Sequence, residues 1–292
     1  MNISNLSTRF LSGNWSPFIR TMNQSLNAWS GLILGTSVIA LTALQGYRWS
    51  HSHATLSHQS TGVDFQKIKN KVCKAYAYVF AGFALTATAA AAAHIGGVSR
   101  AILQQPLLSI PVFIGSIASL TATLEVNKKN VKTQHTAWMI FNLTMGMTLS
   151  PLGFLNQHIV AQAAAISLGL GGMLTATTFL APDKKFLEWE GPLMTALTTI
   201  SLVSSIALFF PGSAFAYGVD RVSLYGGLAI FTALFMASTQ RLINEAETKD
   251  DLTFDPIKSS LGIYLYSLNF FVRIVEIMAE KNQADKLKKP QG

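Results

Sequence analysis

Long stretches without a charged side chain are the feature that most constrains this chain. The Lys, Arg, Asp and Glu residues are separated by six long uncharged gaps, at positions 21–47, 75–99, 101–124, 133–182, 191–219 and 222–240. A helix needs about 20 apolar residues to cross a bilayer, so each gap has room for at least one crossing. Only 12% of the residues are charged, about half the share in a soluble domain, and the mean hydropathy is +0.35. The sequence therefore predicts a membrane protein whose main partner is the lipid bilayer.

The apolar stretches indicate helices rather than strands, because they lack the alternation of polar and apolar residues found in membrane-spanning strands. The longest gap contains a turn signal with Pro, Gly and Asn, SPLGFLNQH, which divides it into two crossings. With the last apolar stretch included, we predict eight candidate crossings, at 28–47, 73–96, 102–124, 134–153, 157–180, 190–211, 222–242 and 256–279. The predicted fold class is all-α, a polytopic membrane helical bundle of seven core transmembrane helices plus one N-terminal hydrophobic segment.

The chain divides into four predicted segments. These are a polar segment without acidic residues at 1–27, a hydrophobic segment with a basic linker at 28–71, the seven-helix domain at 72–280 and a basic tail at 281–292. No Asp or Glu occurs before residue 64. This composition is typical of a mitochondrial targeting sequence, and a bacterial cytoplasmic tail shares it. The predicted location is the mitochondrial inner membrane for a eukaryotic chain and the cytoplasmic membrane for a bacterial one.

The formal net charge of +8 would favour nucleic-acid binding in a soluble protein. In a membrane protein, Lys and Arg concentrate in loops on the cytoplasmic or matrix side. Most of them fall in alternate loops of the predicted topology: Arg48, Lys67, Lys69, Lys71, Lys74, Lys128, Lys129, Lys132, Lys184, Lys185, Arg241, Lys249 and Lys258. We therefore predict no nucleic-acid partner and a basic side that faces the cytoplasm or the matrix. The basic C-terminal tail departs from this pattern if all eight segments cross.

Motifs for a cofactor, a metal or an enzyme active site are missing from the sequence. The lone Cys73 excludes a disulfide within the chain, and a metal–thiolate site needs several sulfur ligands. The residues His51, His53 and His58 fit a solvated linker better than a metal-binding or pH-sensing cluster. There is no phosphate-binding glycine loop before a helix and no His-Glu-x-x-His. We predict that the chain is not an enzyme and binds no cofactor.

Small residues predict which face of one helix packs against its neighbours. Ala161, Ala165 and Gly169 recur every four residues, and Gly172 and Ala176 continue the stripe. Small residues let helix backbones approach closely in membranes. We therefore expect this stripe to face the interior of the bundle.

A polar stripe on the last predicted helix, GIYLYSLNFFVRIVE, is the main candidate functional site. Asn269, Arg273 and Glu276 share one face of this helix. If Asp255 is the N-cap and Pro256 lies in the first turn, Arg273 is about 25 Å along the axis and Glu276 about 30 Å. In one interpretation, the arginine and the glutamate pair and extend to the headgroups. In the other, all three residues line a central water-filled cavity and Glu276 carries a proton or a cation.

Four blocks of the sequence carry a family resemblance: LAPDKKFLEWEGPL at 180–193, VSLYGGLAIF at 222–231, STQRLINEAE at 238–247 and FDPIKSSLGIYLYSLNFFVR at 254–273. They are similar to blocks of the transmembrane Bax inhibitor motif family. The resemblance implies a seven-helix bundle with the last helix at its centre, and an additional N-terminal hydrophobic segment in the mitochondrial branch. It also implies calcium leak or calcium/proton exchange, maintenance of cristae and resistance to cell death.

The chain departs from this family at two positions. The resemblance implies two membrane aspartates, one before Thr-Gln at the end of the sixth helix and one after Tyr-x in the seventh. Those positions hold Ser238 and Tyr266. Paired carboxylates share a proton or a cation because two negative charges held close together repel each other. Serine and tyrosine cannot do this, although their hydroxyls can hydrogen-bond each other across two helices.

Two functional hypotheses follow from these features. In the first, the protein is a leak channel or exchanger for calcium ions or protons that acts in cell death or inner-membrane homeostasis. In the second, it is a non-transporting membrane scaffold that has lost the paired-aspartate site and acts through membrane protein partners.

Overall fold

The computed structural model describes residues 65–105, 108–126, 130–181, 186–207, 209–210 and 213–288. The predictions made for residues 1–64, which include the hydrophobic segment 28–47 and the histidine-containing linker, lie outside the described residues. The lysines at 128, 129, 184, 185 and 289 also lie outside them.

The described part of the chain is helical and contains no strand. Its helices, in chain order, are α1 (Phe65–Ile95), α2 (Val98–Gln104), α3 (Ser109–Glu125), α4 (Val131–Leu149), α5 (Gln157–Leu180), α6 (Glu190–Ala207), α7 (Ala214–Thr248) and α8 (Pro256–Lys288). Four of them, α1, α5, α7 and α8, are long and apolar enough to cross a membrane, and α2 and α3 together qualify as a fifth, bent crossing. The predicted all-helical membrane fold is confirmed, and the count of seven core crossings stays a prediction.

Polar side chains mark the starts of three helices. The Asp255 carboxylate accepts hydrogen bonds from the backbone N–H groups of Ile257 and Lys258 at 3.1 and 3.2 Å, so this residue is the N-cap of α8 as predicted. Asn156 caps α5, and the Ser213 hydroxyl caps α7 by accepting from the N–H of Ala216. These contacts satisfy N–H groups that have no partner inside the helix.

The predicted crossing at 102–124 is wrong as a single straight helix. The structure has two helices here, α2 and α3, whose axes are bent by 117°. The break follows Gln105, which has φ −132° and ψ 87° and precedes a proline in the sequence. A proline ring clashes with a preceding residue in the helical conformation, which explains why the helix ends there.

The turn predicted within SPLGFLNQH is confirmed. A short 3-10 segment, Ser150–Phe154, follows α4 directly and leads to α5. The ring of Phe154 lies edge-on to His94 near the end of α1, with 4.7 Å between ring centroids. The connection between α4 and α5 therefore packs against the end of α1.

Helix α8 occupies the centre of the bundle. Every residue from 259 to 270 is buried, and the helix packs against α1, α5 and α7. Around it, α4 packs against α1 and α3, and α6 packs against α7. This is the arrangement that the family resemblance implied for the last helix.

Contacts between distant parts of the chain define the two ends of the bundle. At one end, the Lys71 ammonium donates to the carbonyl of Lys249 at 2.6 Å, and Gln134 donates to the Asp255 carboxylate at 2.6 Å. This end, which we call the basic end, brings together the start of α1, the start of α4 and the α7–α8 connection. At the far end, Arg221 pairs with Glu280 at 2.8 Å.

The small-residue stripe on α5 does not face the interior. Ala161, Ala165 and Gly169 are all exposed, and a Cβ atom built on Gly169 would meet nothing within 4 Å. The buried face of α5 lies beside this stripe and includes Ala163 and Ser167. A four-residue repeat of small side chains marks a smooth face, but the neighbouring helices decide which face is covered.

Gly146 is a position where packing against backbone atoms requires a small residue. A Cβ atom added there would lie 2.5 Å from the Cβ of Ala89 and 2.5 Å from the carbonyl oxygen of Thr86, because α4 and α1 touch at this point.

We predict that Gly146→Ala destabilises the protein by about 1–3 kcal/mol, because the added methyl group forces α1 and α4 apart. Thermal unfolding in detergent measures this. Gly169→Ala is the matched control, since its methyl group enters open space, and alanine gains up to about 1 kcal/mol in helix propensity. Equal melting temperatures for the two variants would contradict the close approach of α1 and α4.

Candidate functional site

The structure places the polar stripe of α8 inside the protein. The side chains of Asn269 and Arg273 are buried, and Arg273 is only 3% exposed. Asn269 donates from its side-chain amide to the backbone carbonyl of Leu265 at 2.8 Å. Glu276 is partly buried, with 17% of its side chain exposed. The interpretation that Arg273 extends to the headgroups therefore does not hold, because α7 covers this side chain.

Arg273 lies against a notch in α7. A guanidinium nitrogen of Arg273 donates to the Ser223 hydroxyl at 3.3 Å. One turn further along α7, a Cβ atom on Gly227 would lie 3.2–3.3 Å from the Arg273 guanidinium. Glycine at this position thus leaves room for a large charged side chain between two packed helices. A buried charge is stable only if other groups compensate the lost hydration.

Glu276 supplies part of this compensation, but only through a long contact. Its Oε2 atom lies 3.9 Å from Nη1 of Arg273, three residues earlier on the same helix. The same oxygen is buried and has no hydrogen-bond partner among the described residues. Two further carboxylates, Asp220 and Glu280, interact with this pair electrostatically, and Glu280 itself pairs with Arg221. The far end of α7 and α8 therefore holds a cluster of charges.

Buried hydroxyls without a hydrogen bond among the described residues also occur on α6 and α7. The hydroxyl oxygens of Ser201 and Ser204 on α6 and of Ser238 on α7 are buried with no hydrogen-bond partner among the described residues. Buried polar groups are rarely left unsatisfied in native proteins, and ordered water is their commonest unseen partner. We call the following set the polar seam: Ser201, Ser204, Ser223, Ser238, Asn269, Arg273 and Glu276.

The two positions of the family's aspartates lie on α7 and α8 but do not bond to each other. The hydrogen bond that Ser238 and Tyr266 could have formed is not made, since the Ser238 hydroxyl has no partner among the described residues. The phenol of Tyr266 is directed to the sulfur of Met194 on α6 at 3.8 Å. Both side chains are buried. The Tyr266 ring packs beside Phe231 on α7.

The polar stripe does not line the large cavity that the structure contains. A cavity of about 840 Å³ lies against α8, but it is bounded there by other residues, which include Ser267, Phe270 and Phe271. Asn269, Arg273 and Glu276 are not among its lining residues. The hypothesis that these three side chains line a central water-filled cavity therefore stays a prediction.

Sequence reasoning missed an ion pair at the basic end. Arg241 on α7 pairs with Glu190 at the start of α6, and the Glu190 side chain is only 4% exposed. Next to it, the Gln240 side chain accepts hydrogen bonds from the backbone N–H groups of Phe186 and Leu187. A signal was present, because these residues lie in two of the four family-like blocks, LAPDKKFLEWEGPL and STQRLINEAE. The two blocks meet in space through these contacts.

Comparison with known proteins identifies the family. A family model described as an inhibitor of apoptosis-promoting Bax1 matches residues 68–283. The chain belongs to the Bax inhibitor family. This confirms the resemblance found in the sequence, and the match spans the described helices from α1 to α8.

Several relatives of this Bax inhibitor family chain are known by name. The chain is 26% identical to the growth hormone-inducible transmembrane protein of Rattus norvegicus over 270 residues, which cover 87% of the chain and 75% of that protein. It is 34% identical to a BI1-like protein of Arabidopsis thaliana over 42% of the chain and 46% of that protein. It is 33% identical to Bax inhibitor 1 of Arabidopsis thaliana over 38% of the chain and 42% of that protein. No solved structure matches the chain.

We predict that Glu190→Gln destabilises the protein by up to about 3 kcal/mol, because it leaves the partly buried Arg241 without its counter-charge. Thermal unfolding in detergent is again the measurement. Glu188→Gln is the matched control, since it makes the same chemical change at an exposed position two residues earlier. A Glu190→Gln melting temperature equal to that of Glu188→Gln would show that the ion pair contributes nothing.

Proposed function

We propose that this Bax inhibitor family protein conducts protons slowly across its membrane through the polar seam, and that it acts as a transport protein and not as an enzyme. One observation carries the proposal: the Oε2 atom of the partly buried Glu276 is itself buried, and it has no hydrogen bond among the described residues and only a 3.9 Å contact with Arg273. Ionisable groups within membrane helices are costly and usually serve a transport function. The seam offers one such group that can gain and lose a proton, together with hydroxyls that can relay one.

The arrangement favours protons over calcium ions as the species that interacts with Glu276. Calcium ions take six to eight oxygen ligands at about 2.3–2.6 Å, most often including several carboxylates. The seam itself contains a single carboxylate, next to a buried arginine that repels a divalent cation. Of the two carboxylates nearby, Glu280 is already paired with Arg221. A proton needs only one acceptor at a time. Serine hydroxyls both donate and accept hydrogen bonds, so with intervening water they can pass a proton along the seam.

In this proposal the described form is the closed state. The attraction between the positive charge of Arg273 and the negative charge of Glu276 keeps the guanidinium packed against Ser223 and Gly227 of α7. Protonation of Glu276 cancels its negative charge and with it the attraction to Arg273. The guanidinium is then held only by Ser223 and by the more distant carboxylates, so water can enter beside α7.

The scaffold hypothesis stays as a second candidate because of a specific observation. Both family aspartate positions hold uncharged side chains, Ser238 and Tyr266, and the two are not bonded to each other. A protein that has exchanged both carboxylates can retain the bundle for partner binding alone. Under this alternative, the purified protein carries no ion flux, and its effect on cell death or inner-membrane homeostasis depends on membrane protein partners.

We expect Glu276→Gln to abolish proton flux in liposomes that contain the purified protein, because the amide cannot take up a proton at this position. A pH-sensitive dye inside the vesicles, read after a pH step, measures the flux. Glu280→Gln is the matched control: it makes the same change one turn further along α8, at a side chain that is 38% exposed. This control retains proton flux close to the wild-type rate.

The remaining outcomes decide between the candidates. Wild-type flux at the level of empty liposomes overturns proton conduction and leaves the scaffold hypothesis. Equal loss of flux in the Glu276 and Glu280 variants overturns the specific role of Glu276. A calcium-sensitive dye in the same vesicles tests exchange, since calcium flux that stops in Glu276→Gln would assign calcium to the seam as well.

We further propose that the protein resides in the mitochondrial inner membrane when expressed in a eukaryotic cell. The support is the acid-free composition of residues 1–63, which include Arg9, Arg20 and Arg48. A C-terminal fluorescent fusion should co-localise with an inner-membrane marker and resist protease in mitochondria with an intact inner membrane. A variant with Arg9→Glu and Arg20→Glu should not be imported. Endoplasmic-reticulum localisation of the parent fusion would contradict this proposal.

A further inference from the structure

A long apolar groove runs along the outside of the bundle between α1 and α5. It is the cavity of about 840 Å³, and its floor is formed by α7 and α8, through residues such as Phe235 and Phe270. On the α1 side its lining extends from Tyr76 to Ile95, which corresponds to about 28 Å of helix. The groove therefore runs nearly the whole thickness of a hydrocarbon core of about 30 Å.

The walls of this groove are the least covered helices of the bundle. Among the four helices that qualify as membrane crossings, α5 and α1 bury the smallest shares of their residues against the described chain. Phe80 and Leu168 line the groove and are 57% and 58% exposed. On α5, Ala161 and Gly172 also line it and are exposed. The groove thus offers a smooth small-residue wall to another helix.

We propose that the hydrophobic segment at residues 28–47 of the same chain docks as a helix in the groove between α1 and α5. This segment of 20 residues has no charged side chain, and as a helix it would be about 30 Å long. Its length matches the lined part of α1. It therefore fills the groove from end to end without placing a charge in it.

The linker that precedes α1 is long enough for the segment to reach the groove. The linker at residues 48–64 joins the segment to Phe65, the first residue of α1 at the basic end. From there the chain must return about 16 Å to the level of Tyr76 and cross about 10 Å to a neighbouring helix position. The 17 residues of the linker reach up to about 60 Å when extended. Tethering also gives the segment a high effective concentration at the groove, which favours it over lipid or a second copy of the chain.

The small residues of the segment fit the small-residue wall. Gly31 and Gly35 are four residues apart, a spacing that brings two membrane helices into close backbone contact. The exposed small residues of α5, which have no partner helix among the described residues, provide a matching surface. Close contact of this kind explains why Ala161 and Gly172 are exposed rather than buried by α7 or α8.

The proposal fixes the direction of the segment. Since the linker enters α1 at the basic end, residue 47 lies near that end and residue 28 near the far end, so the segment runs antiparallel to α1. Leu44 is then at the depth of Phe80, and Leu32 is at the depth of Ala91. In the swapped pairings, Leu32 with Phe80 and Leu44 with Ala91, the two residues of each pair lie about 16 Å apart along the axis.

The test uses cysteine pairs in the full-length chain reconstituted in liposomes, with Cys73 replaced by serine. A short bifunctional maleimide reagent should cross-link Leu44→Cys to Phe80→Cys, and Leu32→Cys to Ala91→Cys, within one chain. The two swapped pairs should not react. Proteolysis between residues 48 and 64, followed by electrophoresis, distinguishes cross-linked from uncross-linked chains.

Two controls make the result decisive. Leu44→Cys with Met139→Cys should not cross-link, because Met139 is exposed on α4 and does not line the groove. Met139 lies at about the depth of Phe80, because the ring of the neighbouring Trp138 contacts Tyr78 on α1. Tyr78→Cys with His135→Cys should cross-link in every preparation, because these rings lie 5.7 Å apart, and this shows that the bundle is folded.

Each other result overturns the proposal. Cross-linking that is equal for the groove pairs and the Met139 pair indicates a segment that moves freely in the lipid. Cross-links between two chains, seen as a dimer band, assign the groove to a second copy. If neither groove pair cross-links while the Tyr78–His135 pair does, the segment does not occupy the groove, and lipid chains fill it instead.

Discussion

The enclosure of α8 by other helices is the constraint on which the rest of the structure depends. Residues 259–270 are all buried by neighbouring helices, so the polar groups on this part of α8 must be satisfied inside the bundle. In the middle of the helix this is achieved by local contacts, such as the Asn269 amide with the Leu265 carbonyl. Towards the far end, the helix carries a full charge on Arg273, which the neighbouring helix α7 accommodates with Ser223 and Gly227.

Charged side chains are paired differently at the two ends of the bundle. At the basic end, Glu190 and Arg241 are in direct contact, and Gln240 fixes the adjoining loop through two backbone N–H groups. Such a network resists change, because breaking any one contact leaves a buried group unsatisfied. At the far end, the contact between Arg273 and Glu276 is long, and one carboxylate oxygen has no hydrogen bond. The charges at the basic end are therefore in closer contact than those of Arg273 and Glu276 at the far end.

Much of this architecture could be predicted because lipid imposes a simple rule on sequence. The uncharged gaps predicted helices, the acid before Pro256 predicted the start of α8, and the glycine and proline at 150–158 predicted a turn. The bend between α2 and α3 was missed because the gap there is uncharged on both sides of the proline. The small-residue stripe of α5 was assigned to the wrong face, because helical spacing shows that a smooth face exists but not what covers it.

The sequence alone determined the solvent of this protein, its helical class, its family and the presence of a polar stripe on the last helix, since each depends on composition or on local spacing. Only the tertiary structure decided which polar groups meet. It paired Glu190 with Arg241, separated Ser238 from Tyr266 and covered Arg273 with a glycine of another helix. The physical reason is that these contacts join residues far apart in the chain, and their distances depend on how whole helices pack.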